Sequence, residues 1–161
     1  MIENGLIFLG FLVPVAAAAA TGALFRPGDW YRGLRKPGFT PPNRLFAPAW
    51  TLLYILIAIS GFLAWRAVGF AGAPLAFVLY FLQIGLNAAW SPLFFGAHRP
   101  GLAMADIVLL WLAIAATILA FWPLSVAASL LLIPYLFWVG FACVLNFAVW
   151  RLNATVERDV V

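Results

Sequence analysis

Between Ile107 and Trp150 the chain carries no acidic, basic or histidine residue. A bilayer core of roughly 30 Å is crossed by about 20 residues of helix, so this run is too long for one crossing. Trp122-Pro123 marks the place where it folds back. Three further apolar stretches of similar length precede it. The predicted spans are residues 5–25, 47–67, 74–95, 101–121 and 125–150. Inside hydrocarbon a backbone must satisfy its own hydrogen bonds, so each span is read as a helix. The period-two alternation of a membrane barrel is absent. The expected fold class is an all-α membrane protein, a five-transmembrane-helix bundle forming one domain over residues 1–161.

Composition agrees. Of 161 residues, 66% are hydrophobic and 9% are charged, against about 25% charged in soluble domains. The formal charge of +4 comes without a basic stripe or base-stacking module, which argues against nucleic acid. The single cysteine, Cys143, allows no intrachain disulfide and no cysteine metal cluster. The first span ends in an alanine run, yet Ile2, Glu3 and Asn4 lead it without a basic residue. It is expected to be a retained helix, with Pro14 as a kink, rather than a secretory signal.

Lysine and arginine fall unevenly. With five spans, Arg26, Arg32, Arg35, Lys36, Arg44, Arg99, Arg151 and Arg158 share one side, and Arg66 stands on the other. The positive-inside rule then places the N-terminus outside and the first loop and C-terminus in the cytoplasm.

The first loop is the one long polar connection. Its prolines, Pro37, Pro41, Pro42 and Pro48, favour one preformed shape, so it is read as a lid. It carries Arg32, Arg35, Lys36 and Arg44 beside Trp30, Tyr31 and Phe39. Under it, unusual membrane residues converge from several helices. Trp50 and Tyr54 share one face of the second span; Gln83, Asn87 and Trp90 follow helical spacing on the third; Trp138 and Asn146 share a face on the fifth. Polar groups in a bilayer turn to the bundle interior, and small-molecule sites are apolar cavities with a few placed polar groups. A cavity beneath the lid follows, suited to a flat apolar ligand whose carboxylates meet guanidinium groups. Plainer roles stand beside these. Buried amides also join neighbouring helices, loop cations also set topology and meet anionic lipid, and Asp106 near a helix start also complements the dipole. Trp65, Trp122 and Trp150 sit at interface depth as anchors, and Trp111 packs mid-helix. Gly85 and Ala89 form a small-xxx-small pair, for which a homodimer through the third span is expected.

Catalytic machinery of ordinary kind is missing. His98 has no carboxylate or cysteine partner in the pattern, and no metal-ligand set or phosphate loop can be drawn. No axial ligand for haem iron is evident in the expected cavity, a metal-free tetrapyrrole would need none, and no cofactor is expected.

The chain resembles the translocator protein family, also called tryptophan-rich sensory proteins or TspO/MBR. The resemblance rests on Trp30-Tyr31 with Leu34 and Lys36-Pro37, on Pro41-Pro42, and on Pro48-Ala49-Trp50-Thr51 with Tyr54. It continues through Leu86-Asn87, Trp90 and Phe94-Phe95 to Pro134-Tyr135-Leu136, Trp138, Leu145-Asn146 and Trp150. It implies a five-helix bundle, often dimeric, whose pocket is closed by the first loop. It also implies binding of porphyrins such as protoporphyrin IX, of synthetic benzodiazepine and isoquinoline ligands and, in animals, of cholesterol. Bacterial members are linked to tetrapyrrole efflux and to sensing of oxygen, light or stress. In some members porphyrin breakdown involves tryptophans matching Trp50 and Trp138. The chain departs from the pattern at Phe39, where the lid often has tryptophan, and at Phe147, where the sterol motif takes tyrosine. Sterol is therefore not the expected native ligand. The function expected is tetrapyrrole binding in transport or sensing; the alternatives are a porphyrin-degrading catalyst using Trp50 and Trp138, or a membrane scaffold.

Overall fold

A computed structural model of the chain describes residues 2–154. In chain order the helices are α1 (Ile2–Leu24), α2 (Asp29–Gly33), α3 (Phe46–Gly72), α4 (Pro74–Ser91), α5 (Pro100–Phe121) and α6 (Val126–Asn153). All but α2 are long and apolar enough to cross a membrane, and they are the five expected. A π turn, Pro92–Gly96, prolongs α4. Pro74 and Pro100 stand in the first turns of α4 and α5, where a missing N–H leaves no hydrogen bond unmade. Ser125 starts α6 by accepting a hydrogen bond from the Ala128 amide at 3.3 Å, so the reversal falls at Trp122–Ser125 as its sequence indicates.

The ends differ from expectation in particular ways. Helix α3 runs to Gly72 rather than residue 67, but Gly69, at φ 66°, breaks its regular course. Only glycine takes that conformation cheaply. The lid also holds a helix its proline content did not announce: α2 is a single turn, braced by an Arg32–Asp29 ion pair and anchored by buried Tyr31. Arg158, counted above for topology, lies outside the described residues.

The five long helices form a ring. Helix α1 packs on α3 and α4, α3 on α6, α6 on α5, and α5 on α4. The half of the ring remote from the lid is solid. Phe11, Phe77, Tyr80 and Phe121 meet there ring to ring, at centroid separations of 5.7–6.4 Å, and all are almost fully buried. Gly61 makes the meeting possible, because a Cβ there would stand 2.7 Å from the Phe11 ring. Small hydroxyls join the helices without exposing polar atoms to lipid. Tyr80 donates to the Ile57 carbonyl at 2.9 Å, Ser60 to Ala128 at 2.7 Å, and Ser129 to Ile118 at 2.9 Å.

Helix α1 changes its contacts along its length. At its remote end it lies against both α3 and α4: Phe8 meets Phe62 edge-on at 5.4 Å, Phe11 covers Gly61, and Phe11 also meets Tyr80 at 5.7 Å. At its lid end it leans on α4 and the π turn. A Cβ on Gly22 would lie 3.8 Å from the Ser91 hydroxyl, and one on Gly96 would stand 2.7 Å from the Phe25 ring. The small residues of α1 permit this approach to α4, and the ring stays open inside on the lid half.

Candidate functional site

The lid half of the ring encloses a cavity of about 790 Å³, within the range of small-molecule sites. Aromatic groups wall it. Trp50 stacks on Tyr54 with centroids 5.3 Å apart, and Trp50 meets Trp138 edge-on at 6.5 Å. Across the cavity Trp90 stacks on Phe94 at 5.1 Å. Phe46, Phe95, Ile107, Leu110, Val139 and Leu145 add to the apolar lining. Helical spacing explains the convergence: each indole stands on the interior stripe of its own helix, and the ring turns those stripes to one centre.

A chain of hydrogen bonds forms the floor. The Tyr54 hydroxyl donates to Asn87 Oδ1 at 2.9 Å, and Asn87 Nδ2 donates to the Tyr135 oxygen at 3.0 Å. Asn87 therefore ties α3 to α6 while still facing the cavity. Its carboxamide keeps one N–H and one lone pair for another partner. Asn146 is braced in the same way. It accepts from the Trp90 indole at 3.1 Å and donates to the Pro100 carbonyl at 3.0 Å, joining α4, α5 and α6. Sequence reasoning weighed ligand binding against helix bridging for these amides; the structure gives both bridging bonds and a place on the cavity wall.

Gln83 lies lower. It is 1% exposed, and neither end of its amide has a hydrogen-bond partner among the described residues. It borders a crevice beneath the floor, shared with Val15, Ala18, Tyr54 and Tyr135, that is too narrow for a water molecule. Asp106 is buried in the second turn of α5, with one carboxylate oxygen unpartnered, and is not among the residues that line the cavity.

The lid is fastened on several sides. Trp30 is not on the cavity wall; it stacks on His98 at 4.4 Å with the rings 18° apart. Tyr31 does line the cavity and meets Phe95 edge-on at 5.3 Å, and burial pushes its phenol above the usual range. The Asn153 amide holds the backbone of Arg35 at both N–H and carbonyl, each at 3.0 Å. Phe39 touches Phe141 at 6.4 Å.

The four lid cations singled out from sequence do not line the cavity. Arg32 pairs with Asp29, and Arg35 and Arg44 are exposed. Lys36 donates to the Leu34 carbonyl at 3.1 Å with its ammonium 4.6 Å over the Tyr31 ring. Pro41 and Pro42 shape the lid's course without joining the wall. The basic residue on the wall, which sequence reasoning used only for topology, is Arg26. Its Nε donates to the Ala23 carbonyl at 2.6 Å. Its position directly after α1, at the depth of Trp50, was the available signal. Tyr135, the far end of the floor chain, carried no signal beyond its place in the motif.

A profile of the TspO/MBR family matches residues 10–151. The chain belongs to the TspO/MBR family. Its family relatives cover nearly all of it. Protein CrtK of Rhodobacter capsulatus is 46% identical over 91% of this chain and 92% of its own length. The tryptophan-rich sensory protein of Cereibacter sphaeroides is 42% identical over 91% of each. The human translocator protein is 39% identical over 90% of this chain and 89% of its own. With its five long apolar helices, this TspO/MBR member is an integral, multi-pass membrane protein.

Proposed function

We propose that this TspO/MBR protein binds a flat, mainly apolar molecule with anionic arms, a tetrapyrrole of the protoporphyrin type, and serves its transport or sensing in the membrane. A role in membrane sensing or transport agrees with the names its relatives carry. The observation that carries the ligand class is the cavity itself: about 790 Å³, walled by Trp50, Trp90 and Trp138 from three helices, with Asn87 at its floor and Arg26 at its mouth. Indole faces favour flat π systems, and an arginine favours carboxylate. In this reading the lid end faces the cytoplasm, as the distribution of Lys and Arg favours. A second copy packs along α4, where Gly85 is exposed and a Cβ would meet nothing within 4 Å.

The test is titration of the purified protein in lipid nanodiscs with protoporphyrin IX, followed by tryptophan fluorescence. A saturable quench is expected, weakened at least several-fold in a Trp50→Phe, Trp138→Phe double variant. Equal affinity in the double variant would remove those indoles from the site.

A further inference from the structure

The cavity has an uneven wall. Its lining residues from α4, α5 and α6 are buried or half-buried. Its exposed ones fall on two short segments: Gly22, Ala23, Phe25, Arg26 and Pro27 at the end of α1, and Asn43, Ala47 and Thr51 around the start of α3. The contacts at the end of α1 explain this. The lid end of α1 approaches Ser91 and the π turn, and the exposed lining residues mark out a wedge between the last turn of α1 and the first turns of α3. Those turns lie at the ends of membrane-spanning helices, level with lipid headgroups.

The alternative way in is to lift the lid. That requires undoing the Trp30–His98 stack, the seating of Tyr31 against Phe95, the paired Asn153–Arg35 hydrogen bonds and the Phe39–Phe141 contact. All four hold the lid towards the π turn, the loop that follows it and α6. None of them spans the wedge. Passage through the wedge breaks none of them, and its edges include the small side chains of Gly22, Ala23 and Ala47.

One charged group stands on the lip. Arg26 borders the cavity, is exposed, and makes no salt bridge to a described residue; Asp29, three positions on, is already paired with Arg32. One guanidinium N–H is taken by the Ala23 carbonyl, which leaves the outer nitrogens to face a ligand. An arginine held at headgroup depth beside an apolar passage suits a molecule whose body dissolves in lipid and whose anionic group stays at the surface. We propose that ligands reach the cavity sideways from the membrane, through the wedge between the lid ends of α1 and α3, and that Arg26 selects membrane-dissolved amphiphiles carrying a carboxylate. The wedge stands on the geometry alone; its use by a porphyrin rests on the function proposed above.

The experiment uses the full chain in phosphatidylcholine nanodiscs, mixed rapidly with donor vesicles. The vesicles are loaded with protoporphyrin IX, its dimethyl ester, pyrene-dodecanoic acid or that acid's methyl ester. Ala47→Trp fills the wedge and is expected to slow both uptake and release by about tenfold, as a plug in a path does. Unchanged uptake, or slower uptake with faster release, overturns the route. Asn153→Ala loosens the lid away from the wedge and is expected to leave the uptake rate as it was; faster uptake assigns the route to the lid instead. Arg26→Gln is expected to lower the preference for acid over ester by about fivefold; a retained preference removes Arg26 from selection. If the protein takes up pyrene-dodecanoic acid in an Arg26-dependent way but no porphyrin, the wedge stands and the tetrapyrrole reading fails. If it takes up neither, both fail.

Discussion

Gln83 and Asn87 stand one turn apart on α4, both carboxamides, both turned inward, and their replacement by leucine is expected to act in opposite directions. Asn87→Leu removes two hydrogen bonds, from Tyr54 and to Tyr135, and leaves the Tyr135 hydroxyl, 0% exposed, without that partner. Each such bond is worth about 0.6–1 kcal/mol net inside a membrane bundle, and a stranded hydroxyl adds about 1 kcal/mol, giving about 2–3 kcal/mol of destabilisation. Gln83→Leu removes an amide that has no partner at either end among the described residues and no neighbouring space for water. Its burial costs about 1 kcal/mol after allowing for partners it finds in the unfolded chain within the membrane, so the variant gains about that much. Equilibrium unfolding in mixed micelles, titrating with a denaturing detergent, measures both on one scale. The midpoint should move down for Asn87→Leu and up for Gln83→Leu. Destabilisation by both, of similar size, would refute the reasoning, because it would mean the Gln83 amide is satisfied after all.

Other substitutions test other parts of the frame. Gly61→Ala drives a methyl against Phe11 and Tyr80 and is expected to cost about 1–3 kcal/mol in the same unfolding assay. Asn146→Leu severs the Trp90 and Pro100 links; a loss of about 1–2 kcal/mol is expected, together with a changed environment for Trp90 in its fluorescence. Asn153→Ala releases the backbone of Arg35 and should raise amide hydrogen exchange at Arg35 while leaving the protection of α5 as it was.

The membrane fold was readable because it follows from charge and length, and both are properties of the chain before it folds. A charge-free stretch such as Ile107–Trp150 has one solvent open to it, and prolines and glycines then divide it. The short α2 was not readable. One turn has no period to detect, and it exists because Tyr31 finds a seat on Phe94 and Phe95 and Asp29 finds Arg32. At the site, the indoles of Trp50, Trp90 and Trp138 could be placed by depth and face, since a helix in a bilayer offers both. Which cation faces the cavity could not be placed in that way. Prolines restrict the lid's course but do not say which side of it turns inward, so Arg32, Arg35, Lys36 and Arg44 looked equivalent to Arg26 or better. The choice of Arg26 depends on where the end of α1 comes to rest. Its small residues allow a close approach, but the contacts with Ser91 and of Phe25 with Gly96 form only once the helices are assembled.

The floor built by Tyr54, Asn87 and Tyr135, with Phe11, Tyr80 and Phe121 stacked behind it, makes the cavity a cul-de-sac. A molecule lodged there has the same doorway for arrival and departure, and the opposite leaflet lies beyond a plug of aromatic rings. Joined to the function proposed above, this arrangement favours registering occupancy over flux, with one guest per chain held in the leaflet it came from. Carriage to the other leaflet demands that the plugged half of the ring come apart, or that the guest travel along the outside of the bundle.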